Sequence, residues 1–221
     1  MRTATIRLPM LLAALSSAVS AYTPGSMRLA TSAARAPTSV MLAPVAPTSV
    51  AVEADAEAVA STVLFQVEAA AEAAIAARGH FALAIPGGSV LKMLAKSEAP
   101  AWASKTTLAY VNHKCVAMDD AALATHAKAG ALFLDRWDGI NALVMDGTDD
   151  AVAEALAYED KLKALPEEVL PRNAAGMPVF DMMLIGVGDD GHVGSLYPGR
   201  EEVLDASGRW VLPVEIASDC S

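Results

Sequence analysis

From Glu53 onward, apolar and polar positions fall into blocks whose period switches between that of a helix and that of a buried strand. The stretch EADAEAVASTVLFQVEAAAEAAIAARG carries Val59, Val63, Val67, Ala74 and Ile75 near helical spacing and predicts a long helix. Arg78 and Gly79 give it a basic last turn and a C-terminal stop. HFALAI is short and apolar, as expected of a buried strand, and PGGS is the turn after it. VLKMLAK returns to helix, KTTLAYVNHKCV offers a second strand and AALATHAKAGALFL a further helix. DDAVAEALAYEDKLKAL reads as an amphipathic helix with Val152, Leu156, Tyr158 and Leu162 toward the core. MPVFDMMLIGVG is a third strand and RWVLPVEI a last one. The alternation implies an α/β domain with a largely parallel, Rossmann-like sheet and helices on both faces.

Residues 1–50 break this pattern. They contain no acidic residue but carry Arg2, Arg7, Arg28 and Arg35, which leaves the remainder with a net charge of −14 against −10 for the whole chain. Arg2 and Arg7 precede LPMLLAALSSAV, and Val19-Ser20-Ala21 has the small-residue spacing of a signal-peptidase site. The Ser-, Thr-, Ala- and Pro-rich stretch that follows, again without acid, has transit-peptide composition. The expected organisation is therefore a signal peptide over residues 1–21, a plastid transit-like segment over 22–50 and one domain over 51–221. In tandem the first two resemble the bipartite presequences of complex plastids and imply a plastid stroma, with the secretory pathway as the alternative.

The acidic balance argues against nucleic acid and against an anionic membrane surface as partners of the mature form. Any phosphate-bearing ligand must be held by a local group of donors. Cys115 and Cys220 have no C-x-x-C partner, and no His/Cys/carboxylate group has zinc spacing, so neither a metal nor a disulfide is expected. Nothing in the sequence sets an oligomeric state.

Three stretches could carry chemistry. In IPGGS, Gly87 and Gly88 let backbone N–H groups converge on an anion, and Ser89 can donate to a phosphate oxygen; the same turn also needs glycine on steric grounds alone. Asn112, His113 and Lys114 stand at a strand exit, where open α/β sheets place ligand contacts and where solvated polar residues are also common. Gly186, Gly188 and Gly191 spell G-x-G-x-x-G after an apolar run, but Pro198-Gly199 leaves no room for the helix of a dinucleotide site. The stretch reads instead as a strand ending in a loop that presents His192 beside Asp190, a carboxylate–histidine pair fit for general base work.

FDMMLIGVGDDGHVGSLYPG resembles the signature of 6-phosphogluconolactonases, and ALAIPGGSVLKMLA is similar to that family's phosphate loop. The resemblance runs from about Glu53 to the C-terminus. Related amino-sugar-phosphate isomerases share the D-G-H, but Ser195-Leu196-Tyr197-Pro198 favours the lactonase branch. The resemblance implies hydrolysis of 6-phosphoglucono-δ-lactone in the oxidative pentose phosphate pathway, without metal or cofactor. His192 would act as base on water, and Asp190 with the glycine amides would orient it and steady the oxyanion. Gly87, Gly88 and Ser89 would hold the phosphate, with Lys114, Asn112, His113, Gly188, Gly191 and Ser195 as further substrate contacts.

The sequence departs from the family where Asp-Glu-Arg is usual and Asn112-His113-Lys114 stands instead, and where Ser221 follows soon after RWVLPVEIAS. A last strand and helix of the fold are therefore expected to be missing. A non-catalytic sugar-phosphate-binding paralog is the alternative function, and an amino-sugar-6-phosphate isomerase a further one.

Overall fold

A computed structural model describes residues 1–6 and 49–215. The chain divides into two units, residues 1–9 with 53–221 and residues 10–52; of the second only 49–52 are described, without regular secondary structure. All of the expected transit-like segment but residues 49–50, and all of the expected signal peptide but residues 1–6, thus lie outside the described residues.

The long predicted helix is α1, Ala56–Arg78. The Asp55 carboxylate accepts from the Ala58 amide at its start, and Gly79, with φ of 83° in the left-handed region, closes its end by donating to the Ile75 carbonyl. By length and composition α1 could cross a membrane; here its Val67, Ala71 and Ala74 pack into the core.

A four-stranded parallel sheet follows the order β5-β3-β2-β6, with β2 at Phe81–Ile85, β3 at Thr106–Tyr110, β5 at Asn141–Ala142 and β6 at Met182–Met183. Its two faces differ in side-chain size. Phe81, Leu83, Ile85, Leu108 and Tyr110 point to one face, which α1, α2 (Ser89–Leu94) and α3 (Thr125–Leu132) cover. Ala82 and Ala109 belong to the opposite face, against α4 (Ala151–Ala164). Helices on both faces are as expected.

The small-residue face explains a correction on α4. Val152 and Leu156 were expected in the core but are 57% and 46% exposed. The buried stripe is Ala151, Ala155, Tyr158 and Leu162, because an alanine-lined sheet accepts alanines at close approach and one aromatic between them. The Tyr158 hydroxyl accepts the Tyr110 N–H at 2.9 Å and donates to the Leu143 carbonyl at 3.2 Å, tying α4 to the sheet.

A second sheet was not expected. It is antiparallel, in the order β4-β1-β7, with β1 at Arg2–Ile6, β4 at Asn112–Lys114 and β7 at Val211–Glu215. KTTLAYVNHKCV is therefore not one strand but two, joined at Val111, and RWVLPVEI ends antiparallel rather than in the parallel sheet. Val111 donates to the Ile85 carbonyl at 2.8 Å and accepts the Ile6 N–H at 2.7 Å, so the backbone of one residue serves both sheets. The third predicted strand also shrinks to β6, because the Asp181 carboxylate accepts the Ala82 N–H in the ladder while pairing with Arg78.

The entry to β7 is held by one buried carboxylate. Glu159 accepts from Arg209 Nε at 2.7 Å, from the Trp210 and Val211 amides at 2.9 and 3.1 Å, and from Lys163. Burial opposes its ionisation, but these four donors together keep its pKa below the usual carboxylate value. Lys163 and Arg172 flank the Trp210 ring at 5.6 and 4.8 Å. Replacing Glu159 by Gln keeps the shape but removes the charge and points an amide at a cation. The expected cost is about 2 to 3 kcal/mol of unfolding free energy, read from urea denaturation at an unchanged slope. A loss below about 0.5 kcal/mol, the range of ordinary surface changes, would mean the network is not holding β7.

Candidate active site

The carboxyl ends of β2, β3 and β6 open into one cleft of about 430 Å³. This is where parallel sheets place ligands, since the loops there are free to carry polar groups.

After β2 the chain turns through Pro86, Gly87 and Gly88 into α2. Gly88 has φ of 75° and ψ of −143°, a conformation open to glycine. A Cβ on Gly87 would press on Thr125 Oγ1 at 3.2 Å, so glycine lets this loop lie against the start of α3. Among the described residues the amides of Gly87, Gly88 and Ser89 have no protein acceptor, and all three residues line the cleft.

The strand exit separates the roles of three adjacent residues. Asn112 lines the cleft and donates through Nδ2 to Ser195 Oγ at 3.0 Å, linking β4 to the loop after β6. Lys114 also lines the cleft. His113, expected as a substrate contact, is 1% exposed, and both its ring nitrogens are engaged. The Lys114 carbonyl accepts from Nδ1 at 2.7 Å, and Nε2 accepts the His126 N–H at 3.1 Å. That pattern fixes the neutral tautomer, and burial pushes its pKa down. Its polar atoms have no capacity left for a ligand, so His113 serves as a buried cross-link between β4 and α3.

The loop after β6 confirms the reading of the glycine run. No helix opens at Gly191. The Gly188 N–H donates to the His192 carbonyl at 2.8 Å, and the Gly191 N–H to the Gly188 carbonyl at 2.9 Å, closing a tight turn in which Gly191 has φ of 82°. His192 Nδ1 meets Asp190 Oδ1 at 2.6 Å, and the same oxygen accepts the His192 backbone N–H at 3.2 Å. These two bonds, the backbone one first, hold the Asp190 carboxyl below its usual range. A carboxylate on Nδ1 favours the tautomer that leaves the Nε2 lone pair available. The Tyr197 ring lies 4.8 Å from the imidazole, tilted by 32°.

The turn corrects one expected role. The amides of Gly188 and Gly191 are both spent inside it, so these residues shape the loop rather than donate to an oxyanion, and Gly191 does not line the cleft. Asp190 acts from behind His192. The sequence reading also missed Thr125, Lys128 and Tyr197, all of which line the cleft. Thr125 and Lys128 stand three apart on α3, on one helical face, which is the signal that the sequence offered. Among the described residues neither Lys114 nor Lys128 pairs with a carboxylate. In a chain of net charge −10, two such cations beside unpaired amides make a local anion site.

A family model described as glucosamine-6-phosphate isomerases/6-phosphogluconolactonase matches residues 54–219. A "Probable 6-phosphogluconolactonase" of Schizosaccharomyces pombe is 32% identical over 160 residues, 67% of this chain and 60% of that protein. A "Probable 6-phosphogluconolactonase 3, chloroplastic" of Oryza sativa subsp. indica is 35% identical over 147 residues, 62% of this chain and 44% of that protein. The chain thus spans about half of these relatives' length. The crystal structure of a 6-phosphogluconolactonase from Shewanella baltica matches with a TM-score of 0.50 at 22% identity, over 62% of this chain and 55% of that one, a likeness of fold.

Two outcomes follow from this geometry. A Cβ at Gly188 would overlap the His192 ring and stand 2.8 Å from Asp190 Oδ1, while the backbone there does not require glycine. Gly188→Ala is therefore expected to fold and melt nearly as the parent but to lose the His192–Asp190 contact, seen as a change in the ring nitrogen shifts; unchanged shifts would refute the placement. The second concerns pH. His80, His113 and His126 are all held below the ordinary 6.5, burial being the first cause in each. The unfolded chain takes up these protons first, so stability is complete above pH 6.5 and falls as pH drops through the folded values. His113→Asn should flatten that fall, which sets in below pH 6.5, in denaturation midpoints, whatever its effect at neutral pH. An equally steep fall would remove His113 from the cause.

Proposed function

The chain belongs to the glucosamine-6-phosphate isomerase/6-phosphogluconolactonase family, and from that premise we propose that it hydrolyses 6-phospho-D-glucono-1,5-lactone to 6-phosphogluconate. The observation that carries the reading is the shared cleft: the Asp190-oriented His192 and two unpaired lysines line one space with the Gly87–Ser89 loop.

In this reading the phosphate rests on the free amides of Gly87, Gly88 and Ser89, with Lys114 and Lys128 as point charges. His192 Nε2 takes a proton from water as its oxygen attacks the lactone carbonyl. The tetrahedral oxyanion collapses, the ring C–O bond breaks, and the imidazolium returns the proton to the departing ring oxygen. Asp190 stays ionised throughout and stabilises the imidazolium between the two transfers. Asn112, held to Ser195, keeps one Nδ2 proton for the substrate. A lactone is an activated ester, so the site needs only a modest acceleration.

Rice relatives named chloroplastic support a plastid address, and the acid-free first 50 residues would supply it. A fluorescent fusion of residues 1–50 is expected in the plastid; cytosolic signal would contradict this.

His192→Ala should lower turnover of freshly generated lactone by roughly 10²- to 10⁴-fold while 6-phosphogluconate still binds. Lys114→Ala and Lys128→Ala should instead weaken binding by about tenfold each in calorimetric titration. Binding by the parent without turnover would favour the non-catalytic paralog, and equal turnover of His192→Ala and parent would remove His192 from the mechanism.

A further inference from the structure

The first residues of the chain raise a question that the site alone does not. Arg2–Ile6 belongs to the stretch expected to act as a leader, yet it is the central strand of the antiparallel sheet. It pairs over five residues with β7, from Arg2 opposite Glu215 to Ile6 opposite Val211, and over three with β4, from Thr3 opposite Lys114 to Thr5 opposite Asn112. β4 and β7 do not pair with each other, so β1 fills a slot between them. Thr3, Ala4, Thr5 and Ile6 are each at most 1% exposed, and Ala4 and Ile6 join the core cluster of Tyr158 and Trp210. The pattern is that of a strand, with Ala4 and Ile6 alternating with two threonines, and it precedes the apolar leader run that begins at Leu8.

The slot adjoins the cleft. Thr3 lines it, next to Lys114 across the ladder. Thr5 Oγ1 donates to the Val111 carbonyl at 3.1 Å and lies 3.3 Å from where a Cβ of Gly194 would stand, in the loop that carries Ser195. Among the described strands β4 has no sheet partner other than β1. The directions of Asn112 and Lys114 therefore depend on β1.

We propose that residues 2–6 are a docked strand on which the substrate-binding wall depends, so that the leader is also a working part of the domain. While the strand occupies its slot, Asn112 and Lys114 are aimed into the cleft. A form cut after Ala21 keeps a complete cleft only if the peptide stays bound; once it leaves, β4 and β7 present unpaired edges and the wall loosens. A chain that has lost residues 2–6 is thereby expected to hold a sugar phosphate less tightly. The affinity part of this inference rests on the function proposed above; the docking part does not.

The test uses the full chain with one protease site placed between residues 22 and 48, cut after folding. The N-terminal fragment is expected to co-elute with the body in gel filtration, and to exchange slowly against a labelled peptide of residues 1–9. Amides of Asn112–Lys114 should gain hydrogen exchange once the fragment is washed out in mild denaturant and the denaturant removed. With the fragment gone, 6-phosphogluconate affinity should fall by at least about tenfold, the worth of one charge-assisted contact, and the peptide should restore it. Unfolding of the body on washing, reversed by the peptide, would support the same dependence. A fragment that separates freely while exchange and affinity stay unchanged would overturn the proposal, as would a peptide that rebinds without restoring affinity. Fragment retention and amide protection are read without any ligand, so an intact chain that docks its strand but never binds 6-phosphogluconate would count against the proposed function alone.

Discussion

The backbone of Val111 joins the two halves of this fold. Its N–H completes the parallel sheet at Ile85, and its carbonyl accepts both the Ile6 N–H and the Thr5 hydroxyl of the antiparallel sheet. A buried backbone group that is left unpaired costs a kilocalorie or more, so the chain cannot shift at this point without breaking one sheet or the other. Every side chain that approaches the cleft from β4 inherits its direction from that junction. Asn112 follows it immediately, and the Asn112–Ser195 bond carries the constraint across to the loop that presents His192.

The carboxylates and imidazoles of this acidic chain are divided between fold and cleft by what surrounds them. Glu159 is buried and ionised because four donors converge on it, and it serves the packing of β7. His113 is buried and neutral because both nitrogens are occupied, and it serves the packing of α3. Asp190 is exposed, and its partner is the one histidine whose ring borders the cleft with a nitrogen to spare. Burial with full hydrogen bonding marks the structural groups here; partial exposure with one partner marks the group that can exchange a proton.

What could be read from sequence follows the same division between local and long-range causes. The end of α1 was legible because Gly79 acts within one turn of it, and the loop around His192 was legible because its glycines set a turn within five residues. The α4 stripe was misread because side-chain hydrophobicity favours Val152 and Leu156, whereas the face they would have met is lined by Ala82 and Ala109 and selects alanine. His113 looked like a ligand contact until α3, thirteen residues on, supplied the N–H that occupies its second nitrogen. β1 was illegible in principle: its partners lie more than a hundred residues away, and five residues ahead of an apolar run carry no local sign of where they will pair.

Substituting a lysine for the fork-shaped arginine usual at the exit of β3 need not reach the chemistry. The His192–Asp190 pair is built by a turn whose hydrogen bonds run only between Gly188 and His192, so its geometry owes nothing to the identity of residue 114. In the proposed reading Lys114 would act on the phosphate, at the other end of a sugar, where an ammonium on a flexible stem gives charge without a fixed direction. Lys128, reaching the same cleft from α3, supplies a second charge from a different side. Two point charges on separate elements can replace much of the attraction of one fork, but they hold the phosphate in more than one pose. In the proposed reaction the cost would fall on the fraction of bound substrate whose carbonyl lies beside His192, while the proton transfers at Nε2 would keep their intrinsic rate.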